Sequence, residues 1–413
     1  MYKRQGNNLT DENNGFARRA KPRSNWAFAD GAAIATPSGE RDDSYLDACG
    51  ACHSRRSTSG NVEALAPYHD HYRLALIEPG LYFEDGQIDD EVFVLGSFLQ
   101  SKMHQKGVTC GNCHDPHSGK TLADGNALCA QCHQPNTFDT QAHHRHEPGS
   151  SGALCVDCHM PQRVYMTVDP RRDHSFPIPD PGRSLDSATP NACNLCHDDK
   201  TADWAVESMR GWGITVTTSR WAAINLGLDL QDSLVFHDYA RNPPSDLPAL
   251  RAATLLSKMS AFPSRLAFER ASEQLSSPDP LLRRAAVGVL QAAPPEARWQ
   301  LLSPLIEDPL QSVRHEVAIA LADMSAQVTG NDAERLEGLT DDLRESLEYH
   351  ADSPAGQMAI GNLELRSGFP ILAEQAFKQA LEIEPSFVPA LINLADLYRA
   401  LGSEGEALSL IHI

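Results

Sequence analysis

The stretch CGNCHDPHSGKTLADGNALCAQCH, residues 110–133, contains the pattern Cys-x-x-Cys-His twice, at Cys110–His114 and at Cys129–His133. Outward from it the pattern recurs at Cys49–His53 (CGACH), Cys155–His159 (CVDCH) and Cys193–His197 (CNLCH). The chain has ten cysteines. The pairs Cys49/Cys52, Cys110/Cys113, Cys129/Cys132, Cys155/Cys158 and Cys193/Cys196 use all of them. This pattern is the attachment signature of c-type haem. Two thiols separated by two residues reach the two vinyl groups on one porphyrin edge and form thioethers. The next side chain swings under the ring and places an imidazole nitrogen on the iron, so His53, His114, His133, His159 and His197 are the expected iron ligands.

Other uses of paired cysteines fit worse. A zinc ribbon does not require histidine after every second cysteine. With 17 histidines in 413 residues, five such coincidences have a chance on the order of 10⁻⁷ against the motif as target. Disulfides across two-residue loops make a poor framework, and redox Cys-x-x-Cys motifs occur singly near βαβ patterns, which are absent from this sequence. The cofactor expectation is five haem c.

Iron has two faces, and the remaining histidines answer for the second. Between about Tyr45 and Asp199 lie eight further histidines: His69, His71, His104, His117, His143, His144, His146 and His174. That excess is what one additional imidazole per iron requires. His117 stands too close to His114 to reach the far face of the same haem, so it would ligate a neighbour. Bis-imidazole ligation saturates the iron and lacks the axial methionine that raises potential, which points to low-potential electron carriage. Arg55, Arg56, Arg163, Arg171 and Arg172 suit haem propionates, because guanidinium meets carboxylate in bidentate fashion. His237, His315, His350 and His412 read as ordinary surface residues.

The haem segment gives each cofactor only about 31 residues and is rich in turn formers such as HDPHSGK and DPRRDHSFPIPDPGRS. The haems are therefore expected to supply much of their own core. One helix is expected over about Asp89 to Gln105, with Val92, Leu95, Leu99 and Met103 at helical spacing and Gly107 as its stop. Short helices are expected around the motifs.

From about residue 200 the chain turns to Ala- and Leu-rich amphipathic helices with internal repeats. Ala249–Ala253, Leu282–Ala286 and Val313–Val317 recur at spacings near 32, the last two preceded by Asp279-Pro280 and Asp308-Pro309. These look like HEAT-type helix pairs. A 34-residue period then relates Ile360, Leu363, Gly368 and Ala373 to Leu394, Leu397, Gly402 and Ala407, similar to the tetratricopeptide repeat. The expected fold is mainly α: an irregular haem-bearing domain followed by an α-solenoid. Its expected segments are 1–44, 45–200 with five haems, HEAT-like 201–345 and tetratricopeptide-like 346–413.

The net charge is −20, −7 over residues 1–200 and −13 over 201–413, which argues against nucleic acid and anionic lipid as partners. No stretch approaches the roughly 18 apolar residues of a membrane span, so an integral membrane protein is not expected. The first 30 residues lack the apolar core of a signal peptide. Because this haem is attached outside the cytoplasmic membrane, the expectation is a periplasmic or extracellular protein represented by a fragment that is truncated at both ends.

CHSRR, GSFLQSKMHQKGVTCGNCHDPHSGK, GNALCAQCH, HHRH, CVDCHMP, VYMTVDPRRDHSF and TPNACNLCH resemble the multihaem cytochromes c that carry C-terminal tetratricopeptide repeats. The elements GVTC-x-x-CH-x-PH and CHMP are similar to the wider group of pentahaem nitrite reductases and octahaem hydroxylamine oxidoreductases. The resemblance implies an irregular multihaem cytochrome c domain, electron transfer, and further haem motifs upstream of Trp26. A redox partner protein would dock on the helical repeats. The alternative is a multihaem oxidoreductase acting on a small nitrogen or sulfur compound. Nitrite reductases of the group mark the catalytic haem with Cys-x-x-Cys-Lys, whereas every motif here ends in histidine, and no catalytic residue is assigned.

Overall fold

The computed structural model describes residues 25–39, 41–60, 66–116, 118–187, 189–216 and 219–411. The protein is mainly α-helical, and among the described residues its named strands form three two-stranded sheets. It divides into two compact units, one reaching Arg56 and resuming over Leu74–Phe262, the other made of Ser57–Arg73 and Pro263–Ile413.

The first unit contains all five motifs and four long helices, Ala202–Gly211, Arg220–Asp229, Ser233–Arg241 and Ala249–Lys258. The boundary expected near residue 200 is therefore not where the chain divides. These helices pack on the segment after the first motif. The Thr254 hydroxyl accepts the Ile77 amide at 3.1 Å, Asn225 donates to the Glu84 carbonyl at 2.9 Å, and Arg251 donates to the Gln100 side chain at 3.0 Å. Leu74, Ile77, Tyr82, Ile88, Val92, Leu95 and Phe98 are buried in this unit, as are Trp221, Ile224, Leu228, Leu250 and Leu255. Between residues 101 and 200 only Val108, Ala153 and Tyr165 are buried hydrophobics among the described residues. A segment of that length without an apolar core cannot offset backbone ordering of about 1–2 kcal/mol per residue.

The single helix expected over Asp89–Gln105 is instead two short ones, Leu95–Leu99 and Lys102–Gln105. Its first turns are lost because the backbone has stronger partners elsewhere. Phe93 takes a positive φ of 59°, Val92 accepts the Arg55 amide, and Leu95 donates to the His53 carbonyl at 2.9 Å. Ser101 restarts the helix by capping the His104 amide at 3.0 Å. Gly107, at φ 91°, ends it as expected.

The second unit is built of helices that pack on their sequence neighbours, from Arg265–Ser272 through Glu404–Ile411. Asp279 caps the helix Pro280–Leu290, accepting the Leu281 amide at 2.9 Å, with proline at its first position. Asp308 does more. It takes the Leu310 amide at 2.9 Å and both arms of the buried Arg283 at 2.7 and 3.0 Å. Farther on, Ala373, Phe377, Leu394 and Leu397 form one core cluster, and a Cβ at Gly361 would stand 2.5 Å from the Phe377 ring. Gly368 and Gly402, one 34-residue period apart, both close helices at φ 85° and 81°.

Residues 57–73 are an inserted strap. The helix Tyr68–His71 packs on Gln311–Leu321, whose first amide donates to Asp70 at 3.1 Å. His350 donates to the Thr58 carbonyl at 3.0 Å, and Arg73 meets Glu316 at 3.3 Å. His315 is buried and 3.4 Å from Asp342. His315 and His350 are thus structural groups, not free surface side chains; His412 lies outside the described residues.

Candidate haem-binding site

Each motif is one closed helical turn. The histidine amide donates to the carbonyl of the first cysteine at 2.9 Å in Cys49–His53, Cys110–His114, Cys129–His133 and Cys193–His197, and Cys155–His159 is itself a helix. Local polar groups make those turns. Thr109 and Asn112 form a capping box around Cys110. Asn126 accepts the Cys155 amide at 3.0 Å. Asn191 accepts the Asn194 amide at 3.1 Å, and Asn194 donates to the His197 carbonyl at 3.2 Å. A single turn puts both thiols and the imidazole on one side of the backbone, as the attachment chemistry requires.

Three motif histidines face a second imidazole. The ring centres of His114 and His174 are 6.4 Å apart with planes at 27°; those of His159 and His143 are 6.2 Å apart at 21°; those of His197 and His146 are 6.2 Å apart at 29°. This separation is too wide for ring-on-ring contact. With a metal–imidazole bond of about 2 Å and about 1.15 Å from nitrogen to ring centre, two imidazoles on opposite sides of one metal have centres about 6.3 Å apart. The residues therefore fit the iron of a haem between them.

The tautomers agree. His159, His174 and His146 hold Nδ1 against backbone carbonyls of Pro177, Arg172 and His144 at 3.0, 3.0 and 2.5 Å. A carbonyl only accepts, so Nδ1 carries the proton and Nε2 is left with a bare lone pair, the arrangement of a metal-ligating histidine. Burial holds His114, His143 and His174 below the ordinary imidazole range, which keeps them neutral near pH 7.

The HHRH stretch divides its labour. His143 faces His159, His146 faces His197, and His144 turns back so that its Nδ1 accepts the His146 amide at 3.2 Å. Arg145 between them adopts a left-handed conformation, φ 64°, costly for a residue with a Cβ. That one residue sends His143 and His146 to different partners.

The other expected ligands fall elsewhere. His104 Nε2 lies 2.6 Å from an Arg41 nitrogen, and its ring stands edge-on to Phe98; burial, then Arg41, lowers it to about 4. His69 and His71 belong to the strap of the second unit, with Nδ1 atoms buried and without hydrogen-bond partners. Burial, assisted by Arg284 and Arg283, lowers His69 to about 3. His117 lies outside the described residues. His133 stands edge-on to Phe138. The arginines have protein partners: Arg163 the Ile88 carbonyl, Arg171 Asp169 and Glu91, Arg172 Asp157, Arg56 the Ala51 carbonyl.

The doubled CXXCH motif family matches residues 103–138, the segment that holds Cys110–His114 and Cys129–His133. The chain binds haem c. Searches of the curated proteins and of the solved structures return no match. For this haem-binding chain, no helix among the described residues is long and apolar enough to cross a membrane. Sequence reading left open which histidine serves which motif; the left-handed Arg145 carries no signal in sequence, since arginine is not a residue that favours it.

Proposed function

We propose that the protein is an exported multihaem cytochrome c. It carries electrons through five covalently attached haems, with its helical second unit, read as HEAT-like and then tetratricopeptide-like repeats, available to dock a redox partner protein. The observation that carries this reading is the set of three imidazole pairs at 6.2–6.4 Å. They leave no vacant face for substrate on the haems of Cys110–His114, Cys155–His159 and Cys193–His197. When bound, each haem supplies a one-electron ferric/ferrous couple. The polypeptide holds the iron between two neutral imidazoles whose Nδ1 protons are tied to carbonyls, so ligand geometry changes little between oxidation states. For the second faces of the haems on His53 and His133, the remaining candidates are His104, His117 and His144.

The test is made on protein matured in a host with a cytochrome c attachment system. Intact mass should rise by five haem masses that survive acid-acetone extraction, and the ferric protein should be predominantly low-spin. Fewer than four haems, or a stoichiometric high-spin signal responding to nitrite or hydroxylamine, would overturn the carrier reading and favour an oxidoreductase.

A further inference from the structure

We propose that the five attachment sites lie in single file in chain order, so that the motifs at Cys49–His53 and Cys193–His197 are the two ends of the electron path. The inference rests on the haem reading above and concerns where this chain's own thiols and imidazoles lie.

Four junctions make the file. Between the first and second motifs, the Cys49 and Cys110 thiols are hydrogen-bonded, and the Tyr45 ring packs so closely on Gly111 that a Cβ there would stand 3.0 Å from it. His53 also lies close enough to His114 for the two to interact electrostatically. Between the second and third, Cys113 neighbours Cys132. Between the third and fourth, the Cys129 and Cys155 thiols are hydrogen-bonded. There Asn126 ties the two backbones, accepting the Cys155 amide at 3.0 Å and donating to the Ala153 carbonyl at 2.9 Å. Between the fourth and fifth, Cys158 neighbours Cys193 and, less strongly, Cys196.

The pattern within each motif makes these junctions more than a set of proximities. Each middle motif turns one thiol to the motif before it and the other to the motif after. Cys110 faces back and Cys113 forward; Cys132 faces back and Cys129 forward; Cys155 faces back and Cys158 forward. The two thioethers of a haem sit on adjacent carbons of one porphyrin edge, so such a motif lays that edge against both neighbours at once. The thiols at the outer ends of this row are Cys52 and Cys196, and these are the two exposed cysteines, while the other eight are partly covered. Chain order, thiol orientation and exposure agree. A partner of either kind, electron donor or acceptor, meets the file at an end and not at its middle.

The deciding experiment locates the five irons in crystals of the mature holoprotein by anomalous scattering at the iron edge. Each iron should have the irons of the adjacent motifs as its nearest neighbours, with those of Cys49–His53 and Cys193–His197 terminal. A nonconsecutive pair closer than the consecutive ones, or a branch point, overturns the order. In solution, flash photoreduction followed by transient absorption compares two variants, each first shown by mass to hold four haems. Cys49→Ala/Cys52→Ala removes an end and should leave electron redistribution among the remaining haems in one fast phase. Cys129→Ala/Cys132→Ala removes the middle and should split redistribution into two groups, slowing exchange between them by tenfold or more. Equal behaviour of the two variants refutes the file. Failure of the haem reading itself would look different, as a deficit of haem mass or a high-spin spectrum whatever the order of the irons.

Discussion

Replacing His143 by alanine, beside a His144→Ala control, isolates the ligand assignment at its most demanding point, since the two residues are adjacent and chemically identical. The His143 ring centre stands 6.2 Å from that of His159. Truncation at Cβ empties one side of a single iron. His144 is not free to replace it, because its Nδ1 holds the His146 amide at 3.2 Å, a bond worth about 1 kcal/mol net, and because Arg145 fixes the backbone turn between them. One iron in five should therefore leave the low-spin population, about a fifth of the ferric signal, and the reduced protein should bind one equivalent of carbon monoxide per chain more than the parent. His144→Ala should bind no more than the parent and lose only about 0.5–1.5 kcal/mol of stability. Electron paramagnetic resonance and carbon monoxide titration read both effects. Carbon monoxide uptake by His144→Ala, or its absence in His143→Ala, would refute the reasoning from ring separation.

Three further outcomes follow from the packing and the charges. Asp308→Ala leaves the buried Arg283 guanidinium uncompensated, a loss of about 3–5 kcal/mol, so the helical second unit should melt about 6–20 °C lower by circular dichroism while the haem absorbance at room temperature is unchanged; a shift below 2 °C would mean solvent replaces the bridge. His69 is held near 3 in the folded state by burial, against about 6.5 unfolded. Below 6.5 the unfolded chain therefore binds the extra proton, and stability, full above that value, falls with pH by about 2 kcal/mol between pH 6.5 and 5. Denaturant titrations of His69→Asn should lack that part of the slope, and an unchanged slope would place the titration elsewhere. Replacing all ten motif cysteines by alanine should leave residues 101–200 open to protease while the second unit stays helical, because that segment has no apolar core of its own; a protease-resistant 101–200 would show that the polypeptide alone orders it.

The helical character of the chain, its haem chemistry and the turn at each motif were legible in the sequence, because they depend on residues within five positions of one another. So were the Asp279 cap, the Gly107 stop and the paired helix-closing glycines Gly368 and Gly402. The helix expected at Asp89–Gln105 was misread for a reason periodicity does not contain: the amides of Arg55 and Leu95 find carbonyl partners across the chain, and Phe93 is turned into a positive φ to let them.

What the sequence determined by itself was the kind of ligand and the number of motifs. Covalent attachment is specified by spacing along the backbone, and spacing is a property of sequence. Which imidazole lies opposite which was decided only by the tertiary structure. His174 reaches His114 across sixty residues of sequence, and His143 and His146, three apart, part company at Arg145. His69 and His71, equally good on composition, are packed into the strap of the second unit, where burial and two arginines replace the metal as their environment. An axial partner is chosen by distance in space, and distance in space between remote residues is the one quantity a linear pattern does not encode.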